Sequence, residues 1–120
     1  MTRILAVDDS PSMRDMVRIA LAGAGFDVTQ AHDGEQALEL AKKGTFDLIL
    51  SDVNMPRMDG IELIRALRAE ASYRHTPILM LTTDGSPERK KEGKEAGATG
   101  WIVKPFDPAQ LIATMKRVLR

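Results

Sequence analysis

Strand-like runs, most of them solidly apolar, alternate with helix-like segments along the whole chain. The pattern predicts strands over residues 3–8, 26–31, 46–52, 78–82 and 100–103. The first helix begins at Ser10-Pro11, an N-cap followed by proline at the first helical position; Met13, Met16, Val17, Ala20 and Leu21 line one face, and Gly23 and Gly25 close it. After His32-Asp33-Gly34, Ala37, Leu38 and Ala41 mark a second helix ending near Gly44. Ile61, Ile64 and Leu67 line a third, which follows the loop Met55-Pro56-Arg57-Met58-Asp59-Gly60 and ends before Pro77. Leu111, Ile112, Met115, Val118 and Leu119 form the apolar face of the last helix, over 108–119.

The segment between Pro87 and Ala98 differs. It carries charge after charge, no large apolar residue and an internal glycine that costs about 1 kcal/mol relative to alanine. It reads as a solvated, weakly anchored helix that a switch can move cheaply.

Four of the apolar runs stop at polar, reactive residues: Asp8-Asp9, Ser51-Asp52, Thr82 and Lys104. Five strand–helix units with right-handed crossovers give an α/β fold, a doubly wound parallel sheet with helices on both faces. The carboxyl ends of its strands share one edge, so three carboxylates, a hydroxyl and an ammonium meet there. The flavodoxin-like order 2-1-3-4-5 fits best, because it places at an edge the strand whose end supplies no site residue.

At 120 residues and 43% hydrophobic content the chain is one domain, 1–120. Seventeen basic and seventeen acidic residues cancel, which argues against a general nucleic-acid or anionic-membrane footprint. Without cysteine there is no disulfide and no Cys-zinc site, the first residues do not read as a signal peptide, and no apolar stretch approaches membrane-spanning length. A soluble cytoplasmic protein is expected. His32 and His75 read as surface loop residues.

Carboxylates about 5 Å apart repel by roughly 3 kcal/mol per pair at an effective dielectric of about 20, so the strand-end site demands a cation. A hard divalent ion, Mg²⁺, suits aspartates and a backbone carbonyl better than zinc does. An aspartate beside Mg²⁺ and a lysine can attack a phosphoryl group and become an acyl phosphate. Asp52 stands alone at its strand end and is the candidate nucleophile, Asp8 and Asp9 are placed for metal, and Thr82 can donate to a phosphoryl oxygen.

The chain resembles response-regulator receiver domains, and among them the stand-alone chemotaxis type. The marks are Val7-Asp8-Asp9-Ser10, Asp52-Val53-Asn54-Met55-Pro56-Arg57-Met58-Asp59-Gly60, Thr82, and Gly97-Ala98-Thr99-Gly100-Trp101-Ile102-Val103-Lys104-Pro105-Phe106. The resemblance implies phosphorylation of Asp52 by the phosphohistidine of a CheA-like histidine kinase. It also implies Mg²⁺ on Asp9, Asp52 and the Asn54 carbonyl, with Asp8 acting through water, and Lys104 and Thr82 on the phosphoryl group. Trp101 aligns with the aromatic that turns inward in the family's switch, where Tyr or Phe is more usual. Asn54 and Asp84 occupy the positions that tune phosphate lifetime, and a cis Lys104-Pro105 bond is implied. Output is expected as a protein contact by a monomer, with a downstream target that includes the flagellar motor switch among its candidates.

Two other readings share the site's marks: a relay receiver, and a receiver excised from a longer regulator. An aspartyl-phosphate phosphatase of the haloacid-dehalogenase type needs a second aspartate two residues after the nucleophile, and that position is Asn54. A nucleotide or flavin carrier needs a phosphate loop after the first strand, which Ser10-Pro11-Ser12-Met13-Arg14 does not resemble.

Overall fold

In the computed structural model, residues 1–55, 57–83 and 85–119 are described. Strand and helix alternate as β1 (Arg3–Val7), α1 (Pro11–Gly23), β2 (Asp27–Ala31), α2 (Gly34–Lys43), β3 (Leu48–Asp52), α3 (Gly60–Ala69), β4 (Ile78–Thr82), α4 (Pro87–Ala96), β5 (Gly100–Val103) and α5 (Pro108–Val118), with a 3₁₀ turn at Ala71–Tyr73. The strands form one parallel sheet in the order β2-β1-β3-β4-β5. This is the doubly wound order expected from the crossovers.

The solid apolar runs have a simple cause: successive side chains leave a strand on opposite faces, and both faces are covered. Leu5, Val7, Ile49, Ile78 and Met80 enter one core with Ala37 and Ala41 of α2 and Ile61, Leu63, Ile64 and Leu67 of α3. Ile4, Ala6, Leu48, Leu50, Leu79 and Leu81 enter the other, against Val17 and Leu21 of α1 and Leu111 and Met115 of α5.

Each helix starts where a side chain accepts an otherwise orphaned amide: Ser10 from Met13, Asp33 from Gln36, Asp59 from Glu62, Ser86 from Arg89 and Asp107 from Ala109. At α3 the exchange is reciprocal, with Glu62 returning to the Asp59 amide.

Several elements are shorter than their apolar runs. Phe26 gives its amide to the Leu21 carbonyl and so belongs to the turn ending α1, which starts β2 at Asp27. Asp47 turns its carboxylate onto the Arg3 amide at 2.8 Å, and β3 begins one residue later. β1 stops at Val7, leaving Asp8 just beyond it, and Leu119 is the cap of α5 rather than its last turn. α4 stops at Ala96 because Gly97 turns left-handed, with φ 114°. Among the described residues no helix is long and apolar enough to cross a membrane.

Candidate functional site

Register brings the reactive residues together. Val7 lies opposite Ser51, Asp52 opposite Leu81, and Thr82 opposite Val103, so the residues that end or follow β1, β3, β4 and β5 share one edge. Asp8, Asp52 and Thr82 are all buried, while Asp9 is exposed at the rim. Asp8, Asp9 and Asp52 each offer an oxygen within 4.8 Å of the others. Lys104 reaches back into this cluster, its Nζ 3.1 Å from Asp8 Oδ2 and 3.3 Å from Asp52 Oδ1.

The two buried carboxylates are held by backbone. Asp8 Oδ1 accepts from the Ser10 amide at 2.9 Å, and Asp52 Oδ1 accepts from Val53 at 2.8 Å. Arg14 donates to the Asp8 carbonyl at 2.7 Å, which ties α1 to the end of β1. Burial raises the Asp52 pKa above the ordinary aspartate value, and the Asp8 charge pushes the same way; Lys104 and the Val53 amide oppose both. One ammonium shared between two carboxylates leaves the cluster short of positive charge.

The loop from β3 to α3 is shaped by close backbone contact. Gly60 gives its amide to the Val53 carbonyl at 2.8 Å, and a Cβ there would run into the Asp52 carbonyl oxygen and Val53 Cα. Gly34 admits the Met58 carbonyl in the same way. Arg57 between them takes φ 67°, a left-handed conformation uncommon outside glycine. Asn54 lies exposed in this loop; Asp84 lies outside the described residues. The Lys104-Pro105 bond is cis, as expected.

Thr82 and the half-buried Trp101 line one small cavity with Val53, Met80, Arg89 and Lys90. Sequence reasoning paired Thr82 with Trp101 but left Arg89 and Lys90 in a solvated charge run. Nothing in the run's spacing sets Lys90 apart from Lys91 or Lys94.

A response regulator receiver domain model matches residues 4–116. The chain belongs to the receiver-domain family. Chemotaxis protein CheY-3 of Vibrio cholerae is 43% identical over 97% of this chain and 90% of its own length. The crystal structure of V. cholerae CheY4 is 56% identical, superposes with a TM-score of 0.96 and covers 98% of both chains. The receiver domain of the Pseudomonas aeruginosa sensor histidine kinase PA1611, described with a magnesium ion coordinated in its active site cleft, is 31% identical with a TM-score of 0.93, over 98% of this chain and 97% of that one.

The protein is thus a phosphorylatable signalling switch and not a metabolic enzyme. Receiver domains hold Mg²⁺ at an acidic pocket, and the donors here fit that ion: three carboxylate oxygens in one cluster, with the exposed Asp9 leaving room for retained water.

Proposed function

We propose that residues 1–120 act as a single receiver domain that takes a phosphoryl group onto Asp52 from the phosphohistidine of a CheA-like histidine kinase. The observation that carries this reading is the Lys104 ammonium held between two buried carboxylates, 3.1 Å from Asp8 and 3.3 Å from Asp52. A structural ion pair needs one carboxylate, whereas a phosphoryl acceptor needs an anionic nucleophile beside a cation that can follow the transferred oxygens.

In the transfer an Asp52 Oδ–P bond forms as the histidine N–P bond breaks, and the imidazole leaves with the electron pair. Asp52 is the nucleophile. Lys104 moves its charge from the carboxylate to a phosphoryl oxygen, and Thr82 donates its hydroxyl to another. Asp9, Asp52 and the Asn54 carbonyl would hold Mg²⁺, with Asp8 acting through water; bound there, the ion neutralises charge on the phosphoryl oxygens. Asn54 and Asp84 set how readily water reaches the acyl phosphate, and small polar side chains at both give a lifetime of seconds to minutes. Thr82 and Trp101 carry the switch to the face formed by α4, β5 and α5, where a monomer meets its downstream protein target. Likeness to two chemotaxis proteins supports a cytoplasmic role in chemotaxis, with the flagellar motor switch as the kind of target to test.

Incubation with acetyl phosphate followed by intact mass measurement tests the assignment. The parent protein gains one phosphoryl group when Mg²⁺ is present. Asp52→Asn and EDTA-treated protein do not; a wild-type rate in either overturns the reading.

A further inference from the structure

The charged helix α4 is fastened at one end and attached to the switch residue near the other. Its buried residues are Gly93 and Ala96, both in the C-terminal half. Gly93 lies so close to the sheet that a Cβ would stand 2.5 Å from Met80 Sδ. Just beyond, the Arg68 guanidinium of α3 donates twice to the Gly97 carbonyl, from Nε at 3.0 Å and Nη2 at 2.8 Å. The helix is therefore fixed to α3 and β4 around residues 93–97.

Lys90, one turn earlier, makes a different attachment. Its ammonium lies over the Trp101 ring, 5.1 Å from the centroid. Its stem passes close enough to Gly85 that a Cβ there would stand 3.9 Å from Lys90 Cε, so the side chain crosses the β4–α4 connection on its way to β5. Arg89 beside it is instead committed to Glu92 at 3.1 Å. Both cations line the cavity that contains Thr82 and Trp101.

We infer that Lys90 is the positioning residue that couples Trp101 to the N-terminal half of α4, through its ammonium on the indole face. A ring that shifts toward or away from Thr82 draws Lys90 with it, and the helix answers by moving about the fixed segment 93–97. Trp carries the strongest ring quadrupole of the aromatic residues and so makes the best partner for an ammonium. This inference rests on the switch reading proposed above, and it adds to that reading the route by which α4 is reached.

The test uses the full chain with beryllofluoride and Mg²⁺ as the phosphoryl mimic. Trp101 fluorescence and amide hydrogen exchange of residues 86–92 are read in the same samples, for the parent, Lys90→Met, Lys90→Gln and Lys90→Arg. The expected result is that all four proteins change Trp101 emission on addition of the mimic, which also shows that they are folded. The accompanying change in exchange over 86–92 is kept by the parent and by Lys90→Arg, and shrinks about two- to fivefold in Lys90→Met and Lys90→Gln, the size of a part-exposed ammonium–ring contact. An exchange response in Lys90→Met and Lys90→Gln equal to the parent's overturns the coupling role while leaving the switch reading intact. A parent whose Trp101 emission ignores the mimic overturns the switch reading, and the coupling with it.

Discussion

α3 and α4 lie side by side over the same face of the sheet, and they are built for opposite duties. α3 buries Gly60, Ile61, Leu63, Ile64 and Leu67, and its start is locked by a reciprocal cap. α4 buries only Gly93 and Ala96 among its residues. The difference follows from what each helix borders. The first turn of α3 presses on the backbone of Asp52 through Gly60, so any looseness there would move the Asp52 carboxylate within the acidic cluster. α4 borders the Thr82–Trp101 cavity, where a packed apolar face would oppose the displacement a switch requires. Arg68 sits on the boundary: it leaves α3 and holds the carbonyls of Tyr73 at 2.7 Å, Thr76 at 2.6 Å and Gly97.

The contrast breaks most visibly under substitutions on the buried side. Leu63→Ala in α3 is expected to cost about 2–5 kcal/mol of unfolding free energy, since it empties a fully buried site with little room to relax. Urea denaturation measures this, and a loss below 1 kcal/mol would mean that α3 is no firmer than α4. Arg68→Met comes next, at about 1–3 kcal/mol, because it leaves carbonyls at the α3–α4 boundary without donors. Hydrogen exchange in this variant should rise across residues 93–97 more than across 61–67; an even rise over both helices would remove Arg68 as the tie between them.

The site that α3 supports holds charge at a cost, which Asp52→Asn should reveal. The folded chain keeps the Asp52 proton to higher pH than an unfolded chain does, chiefly through burial and then the Asp8 charge. Its contribution to stability is therefore full below the unfolded pKa and lost as pH rises through the folded one. In EDTA, Asp52→Asn should unfold at higher urea than the parent at pH 7, with the advantage fading as pH falls into the carboxylate range. A less stable variant at pH 7 would show that Lys104 outweighs burial. Smallest of all, Lys91→Ala and Glu95→Ala on the exposed side of α4 should stay within about 0.5 kcal/mol of the parent, and a larger loss would show an anchorage that the packing does not account for.

Most of the fold was legible from one end of the chain to the other. Strand runs, capping residues and turn glycines are local signals, and Ser10-Pro11 and Pro108 mark helix starts whatever surrounds them. One misplaced strand end had a distant cause: the Asp47 side chain leaves its run to bond Arg3, 44 residues away in sequence, whereas Phe26 is drawn off by nearby Leu21. The internal glycine of α4 shows the same limit. In the sequence Gly93 reads only as a helix defect, whereas in the fold it is the point of closest approach to Met80.

The sequence by itself determined which chemistry is present and on which edge. Parallel strands must end together, so Asp8, Asp52, Thr82 and Lys104 could be assigned to one site from their places at the ends of apolar runs. Only the tertiary structure decided how the charges are shared. Lys104 spans two carboxylates, Arg68 holds carbonyls from two separate stretches of backbone, and Lys90, alike in sequence to its lysine neighbours, lies on Trp101. The reason is physical: hydrophobic periodicity is set by neighbours three or four residues away, but the partner of a long cationic side chain is whatever the packing of distant elements brings within its reach.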